Sequence, residues 1–291
     1  MKFLWFRCDV IIPSSALAVF VLILALVGFL VQLELQLIPD SELHCSMASE
    51  AAANLNRFRS ENHSAFIVGY TGEIGKALVH DLNELKIFKK VVLIGRRQVI
   101  LDVGPEFEQK VINFDRLDEH RELFRNLDVG FCCLSTTQEK SGTQGFIKVD
   151  HDYTVLSAEI AKQQGCKQFS IVSSRGADKK STLLYPRTKG QVEEALKLMK
   201  FQRLSIYRPG MLLSKREEKH LLEVLTGFVL KHVHNFFPTA ISTPVDVVVR
   251  AMINHVLVPL PGTPQWTLYN NKALHLASGL SRGCPTRNVE L

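Results

Sequence analysis

Six cysteines stand at 8, 45, 132, 133, 166 and 284, with no C-x-x-C pair and no Cys/His cluster at zinc-ligand spacing. That excludes a structural zinc site and a disulfide framework, and no metal is expected. The same usage suits a reducing compartment, with adjacent Cys132 and Cys133 reading as small buried side chains in an apolar run. A basic stripe interleaved with aromatics is also missing. The 35 Lys and Arg against 29 Asp and Glu are scattered in twos and threes, so the net charge of +6 reads as a solvated surface. No direct nucleic-acid binding is expected. There is no internal repeat or low-complexity tract, and 46% hydrophobic with 22% charged residues describes an ordinary globular chain.

Charge is missing altogether from Val10 to Leu33, between Asp9 and Glu34. As a helix this run of 24 residues spans about 36 Å, against a hydrocarbon core of about 30 Å. A core helix keeps a polar face, and this one has none. The run is also longer than the ~7–15 residues of a signal-peptide core, and no A-x-A-like site follows it closely. The expectation is a transmembrane helix (signal anchor) over 10–33, after a short basic tail over 1–9 and before a linker over 34–60. Lys2 and Arg7 precede the segment, whereas Glu34, Asp40 and Glu42 follow it. The positive-inside rule then puts the domain in the lumen, as a single-pass protein of the endoplasmic reticulum. Cysteine usage points the other way. Met47 opens MASEAAANLNRFRSENHS, a suitable start for a soluble cytoplasmic or nuclear form to which residues 1–46 are an extension. The sequon Asn62-His63-Ser64 matters only for a luminal domain.

From Ser64 onward, short β-branched runs alternate with helical patterns, the rhythm of βαβ units. Strands are expected at Ala65–Val68, Lys90–Ile94, Val111–Phe114, Val129–Leu134, Gln168–Ser173, Leu204–Tyr207 and near Trp266–Tyr269. Helices are expected over 73–84, 145–164, from Pro186 to about Lys200, over 216–234 and over 245–257. The fold class is α/β, a Rossmann-type doubly wound parallel sheet over 61–278 with a small C-terminal helical substrate lobe and a tail over 279–291.

Gly69-Tyr70-Thr71-Gly72-Glu73-Ile74-Gly75 follows the first strand and opens the first helix of this series. Glycines there let the backbone approach a pyrophosphate, and N–H groups from Thr71 through Gly72 and Glu73 to Ile74 would receive it. An ordinary strand-to-helix turn is the bland alternative. The second strand ends Ile94-Gly95-Arg96-Arg97, with no acid for an adenosine 2′-hydroxyl. Two guanidiniums suit a 2′-phosphate, so NADPH is the expected cofactor rather than NADH; otherwise they are a surface basic pair. Leu134 and Ser135, at the end of the fourth strand, should pass the riboses, and Asp115 should lie near the adenine.

Of five tyrosines, only Tyr185 has a lysine four residues on, Lys189, and it alone follows a strand ending in Ser173-Ser174. At that spacing both side chains share a helix face. In such a site lysine lowers the phenol pKa and holds the nicotinamide ribose, tyrosine protonates a carbonyl oxygen, and serine holds that oxygen. Which serine faces the substrate is open, and an exposed tyrosine at a helix start is the bland reading. Pro186 directly after Tyr185 suits a first helical turn. Beyond Arg208-Pro209-Gly210, Leu212 could offer backbone contacts to the nicotinamide, while Arg208 is either a site residue or a structural ion-pair partner.

The glycine loop, LIGRR, DVGFCCL, the Ser-Ser strand, Y-x-x-x-K-G and RPG together resemble the Tat-interacting oxidoreductases, atypical short-chain dehydrogenases/reductases, over about 50–278. The resemblance implies a monomeric NADPH-binding domain with Tyr185 as proton donor and Lys189 as cofactor ligand. It also implies roles in apoptosis and transcription and a nuclear-import receptor as partner. The leading reading is an NADPH-dependent oxidoreductase reducing a small carbonyl compound, at a membrane if residues 10–33 anchor it. The rivals are an NADPH-binding regulatory protein with little turnover and a membrane-anchored scaffold with an empty Rossmann fold.

Overall fold

The computed structural model describes residues 52–213, 242–270 and 273–274, all within the compact unit Cys45–Leu291. Helix α1 runs over 52–60. Strand β1 (Ser64–Val68), helix α2 (Glu73–Leu85), β2 (Lys90–Gly95) and β3 (Phe107–Val111) follow, then a 3-10 stretch at Phe114–Phe124. Next come β4 (Val129–Cys132), α3 (Gln138–Ile147), a π-helical segment (Lys148–Tyr153), α4 (Thr154–Gln163), β5 (Gln168–Val172) and α5 (Leu184–Leu198). The series ends with β6 (Arg203–Tyr207), β7 (Met211–Leu213), β8 (Ser242–Pro244), α6 (Val245–Leu257) and β9 (Gln265–Tyr269).

Seven strands form one parallel sheet in the order β3-β2-β1-β4-β5-β6-β9, and β7 pairs with β8 in a separate two-stranded sheet. A sheet covered on both faces needs strands that are apolar throughout. Strand β1 meets that condition by alternation. Ala65 and Ile67 pack with Leu78, Val79 and Leu82 of α2 and Val248 and Met252 of α6. Phe66 and Val68 face Phe124, Ala158 and Ala161, with Val192 and Leu196 of α5 on the same side. Burying each of the Val, Leu, Ile, Met and Phe side chains among them contributes roughly 1.5–3 kcal/mol. Gly130 of β4 lies between two rings, and a Cβ there would meet Phe66 Cζ at 2.4 Å and Phe169 Cδ2 at 2.9 Å.

The strand order reverses between β1 and β4, and in open α/β sheets a crevice forms at such a point beyond the carboxyl ends of the strands. The Rossmann reading therefore holds, with corrections. The third strand is Phe107–Val111, not Val111–Phe114. An edge strand needs no apolar face, and Lys90 and Lys110 pair with Glu108 across it at 3.1 and 2.5 Å. The apolar Ile112 and Phe114 enter the core from the turn and the 3-10 stretch instead. The helix expected over 145–164 begins earlier, is kinked at Gly142 (φ 68°) and passes through the π segment. The helix expected from Pro186 starts at Leu184, so the proline occupies the first turn, where its missing N–H costs nothing. The helix at 245–257, expected in a C-terminal lobe, instead packs on a face of the sheet against α2 and β1, and that expected at 216–234 lies outside the described residues. The fold is corrected further by the loss of the N-terminal transmembrane helix from its description. Among the described residues no helix is long and apolar enough to cross a membrane, and residues 10–33 lie outside them.

Arg203 answers carbonyls at the end of α6 and in the chain just beyond it, which have no partner inside the helix. Its Nη1 donates to Gln168 Oε1 at 2.8 Å and to the carbonyls of His255 and Val258 at 3.1 and 2.8 Å, and its Nη2 donates to that of Pro259. His255 shares a 2.8 Å hydrogen bond with Ser205 Oγ. Burial, and then the Arg203 charge, hold its pKa at about 3, against an ordinary 6.5. Between those values the unfolded chain binds a proton that the folded chain refuses, so stability falls as pH drops below 6.5. Denaturant unfolding should show wild type losing about 2 kcal/mol from this group between pH 7.5 and pH 5. His255→Gln should lack that portion of the loss; equal acid slopes would refute the assignment.

Candidate functional site

The turn from β1 into α2 is shaped by two glycines. Gly69 has φ 83°, and a Cβ there would lie 2.8 Å from the carbonyl of Cys133 and the nitrogen of Leu134. A Cβ at Gly75 would lie 2.4 Å from the Gly69 oxygen and 2.6 Å from Tyr70 Cα. Gly72 differs. It is the extended N-cap of α2, and its nearest Cβ contact would be an ordinary 3.5 Å. Nothing within the described residues requires glycine there, so the missing side chain leaves space in the crevice. No side chain caps α2, and its first-turn N–H groups, at Glu73 and Ile74, remain donors at the turn. Thr71 is half-buried beside them.

Arg96 and Arg97 are exposed directly after β2. A residue inside the glycine motif holds their loop. Tyr70 is fully buried, and its hydroxyl lies 2.7 Å from the Arg97 carbonyl and 2.9 Å from Gln109 Oε1. Gln109 in turn accepts from Val99 N–H at 3.1 Å and donates to Val99 O at 2.9 Å. Sequence reading passed over both residues, although an aromatic between the glycines was a visible signal. Asp115, expected near an adenine, pairs with Lys148 at 2.6 Å and accepts from the Tyr153 hydroxyl. Its carboxyl is held below the usual range, first by the Lys148 hydrogen bond.

On α5, Tyr185, Lys189 and Glu193 recur every four residues and form one stripe. Tyr185 is 41% exposed and its ring stacks on Phe146, with centroids 5.5 Å apart. Lys189 is 3% exposed, and its Nζ sits 2.7 Å from Asp150 Oδ1 and 5.9 Å from the Tyr185 ring centroid. Asp150 also accepts from Ser135 Oγ at 2.9 Å and from the Thr136 N–H at 2.8 Å. Leu134, half-buried, precedes that turn. Glu193 is 1% exposed; it accepts from Ser173 Oγ at 2.5 Å and is gripped by Arg208 through Nε and Nη2 at 2.9 and 2.5 Å. The open choice for Arg208 is thus decided in favour of an ion pair, which holds its pKa above the usual value.

Beside this stripe lies a cavity of about 530 Å³ lined by Ser173, Ser174, Arg175, Tyr185, Pro209 and Leu212, among others. The two serines differ. Ser173 is buried and committed to Glu193, whereas half-buried Ser174 donates to the Arg175 carbonyl, at 3.2 Å. Cys132 is buried and Cys133 half-buried, and burial pushes both thiols above their usual range.

Protein HTATIP2 of Rattus norvegicus is 44% identical over 222 residues, which cover 75% of this chain and 91% of that protein. The chain belongs to the HTATIP2 family. These are the Tat-interacting oxidoreductases that the motifs resemble. Within the same range of similarity, Protein FMP52-1, mitochondrial, of Scheffersomyces stipitis is 34% identical over 190 residues, 62% of this chain and 82% of that protein. Among solved structures, an oxidoreductase (short chain dehydrogenase/reductase family) from Burkholderia thailandensis matches at TM-score 0.54 and 17% identity, over 73% of this chain and 93% of its own. MoeE5 in complex with UDP-glucuronic acid and NAD matches at TM-score 0.54 and 14% identity, over 71% and 75%. At such identities the likeness establishes the fold that the HTATIP2 family shares with them. No protein-family model matches the chain.

The expected localisation is corrected as well. Fungal relatives of this HTATIP2-family chain are named mitochondrial, and no helix among the described residues is long and apolar enough to cross a membrane. Single-pass anchoring in the endoplasmic reticulum is therefore not retained, and Met47 lies outside the described residues. The glycines make a paired prediction. Gly75→Ala should destabilise by about 2–3 kcal/mol, because its Cβ meets backbone that cannot swing away. Gly72→Ala should stay within about 0.5 kcal/mol of wild type. Thermal unfolding that ranks them equally would contradict this geometry.

Proposed function

We propose that the chain is an NADPH-dependent oxidoreductase of the short-chain dehydrogenase/reductase type, reducing a carbonyl compound held in the cavity beside Tyr185. The observation that carries this reading is the Tyr185–Lys189 pair: an accessible phenol on the cavity wall, with a buried ammonium one helical turn behind it. The dinucleotide fits the turn after β1 on two counts. The space at Gly72 admits a diphosphate against the first-turn N–H groups, and no side chain competes for them. Arg96 and Arg97, exposed on the loop that Tyr70 fixes, would pair with the 2′-phosphate.

Bound there, NADPH would supply a hydride. The protein's part is electrostatic and protonic. Ser174 Oγ donates a hydrogen bond to the substrate oxygen, turning from its 3.2 Å bond to the Arg175 carbonyl, since Ser173 already serves Glu193. Tyr185 gives its phenolic proton to that oxygen as negative charge develops there. The Lys189 ammonium stabilises the phenolate left behind and would donate to the nicotinamide ribose, and Ser135, Leu134 and Leu212 would hold the riboses and the nicotinamide. With Tyr185 partly exposed, solvent can return its proton.

Calorimetric titration supplies the first test. Replacing both arginines (Arg96→Ala with Arg97→Ala) should weaken NADPH about a hundredfold, as expected for two charged hydrogen bonds, and leave NADH within a few-fold. Equal loss for both dinucleotides would remove the 2′-phosphate assignment. Turnover is the second test. NADPH consumption over a panel of carbonyl compounds should be abolished by Tyr185→Phe. If NADPH binds tightly and no compound in the panel is reduced, the reductase reading fails and a regulatory binding role takes its place.

A further inference from the structure

We propose that Asp150 is a positioning residue: from beneath the site, it sets the Lys189 ammonium and the Ser135–Thr136 turn in one geometry for the nicotinamide ribose. The proposal rests on the reading above that Lys189 meets that ribose. Sequence patterns do not single Asp150 out, since a lone carboxylate in a helical stretch reads as solvated.

Its surroundings are those of a built site. The Asp150 side chain is 0% exposed and Lys189's is 3% exposed, at 2.7 Å. Asp150 Oδ1 takes the ammonium and the Ser135 hydroxyl, and Oδ2 takes the Thr136 N–H. Three elements meet there: α5, the turn after β4 and the π segment. The π segment is what brings the carboxylate in, with Val149 and Asp150 as its buried residues. Such π-helical turns inside helices gather at functional sites.

A structural pair alone is a poor explanation. Burying two charges costs several kcal/mol each, and apolar side chains of similar volume often serve stability as well or better. What the carboxylate adds is direction. An ammonium has three donors, and committing one to Asp150 fixes where the other two point. Other groups around Lys189 do not compete for this role. Cys132 on β4 is a thiol whose pKa burial raises. Tyr185, one turn earlier on α5, presents its ring at 5.9 Å, and Glu193, one turn later, is taken by Ser173 and Arg208. Asp150 therefore acts on the ligand only through Lys189 and Ser135, which it orients without touching the reacting atoms.

The test compares two probes by calorimetry on the full chain: NADPH, and adenosine 2′,5′-bisphosphate, which lacks the nicotinamide ribose. Asp150→Asn should weaken NADPH about tenfold, the scale of one charge-assisted hydrogen bond, and leave the bisphosphate unchanged. Lys189→Met should do the same, and both should reduce the fluorescence enhancement of bound NADPH. The double variant, which holds no unpaired buried charge and so guards against failure of Asp150→Asn to fold, should bind NADPH within a few-fold of Lys189→Met, the remainder being what Asp150 exerts through Ser135. Wild-type NADPH affinity in Asp150→Asn overturns the proposal while leaving the role of Lys189 standing. So does a double variant about tenfold weaker than Lys189→Met, or an equal loss of the bisphosphate. Wild-type NADPH affinity in Lys189→Met overturns the parent reading too.

Discussion

Tyr185, Lys189 and Glu193 follow one another along α5, and the second and third carry opposite charges into a region almost without solvent. Leaving either charge there alone would cost about 3–5 kcal/mol, a large share of the stability of a single domain. Each is met from a different part of the sheet. Asp150, itself bonded by Ser135, reaches Lys189 from beyond β4, while Ser173 and Arg208 reach Glu193 from the ends of β5 and β6. Charge neutralisation thus fixes the helix to three strand ends at once. The orientation of Tyr185 over the cavity follows from that attachment and from its ring stacking on Phe146.

Much of this architecture was legible in the sequence, for an identifiable reason. Strands buried on both faces, such as β1 and β2, must be apolar throughout, so composition marks them. The motif glycines were legible because the backbone conformation and close approaches at Gly69 and Gly75 admit little else. Where composition carries no obligation, sequence reading slipped. The edge strand β3 holds Glu108 and Lys110, and the neighbouring apolar residues belong to the turn beyond it. Buried carboxylates were invisible for the converse reason. Asp150 and Glu193 look like solvated helix residues until folding supplies their partners, although Glu193 repeated the spacing that had already picked out Lys189. The uncharged run over 10–33 lies outside the described residues. Its length suits a membrane, but the described fold contains no helix able to cross one.

The site divides into halves held by different physics. Around the glycine turn, selectivity is steric: backbone lies against backbone, and Tyr70 fills the space under Gly95, where a Cβ would meet its ring at 2.6 Å. Around α5, selectivity is electrostatic, and geometry comes from paired charges. The halves meet in the turn after β4. Gly69 closes to within a Cβ's breadth of Cys133 and Leu134, and the next two residues, Ser135 and Thr136, are both bonded to Asp150.

A turn gripped from both sides cannot shift toward one partner without leaving the other. If the Cys133–Thr136 backbone moved away from Gly69, Asp150 would lose two of its three donors, and Lys189 alone would be left to neutralise it. If the π segment straightened and withdrew Asp150, the turn would lose the contacts that hold it against the glycine loop. The glycine turn and the direction of the lysine ammonium are therefore tied to one short stretch of chain. A change in its length should be felt both at the Gly69 turn and at Lys189.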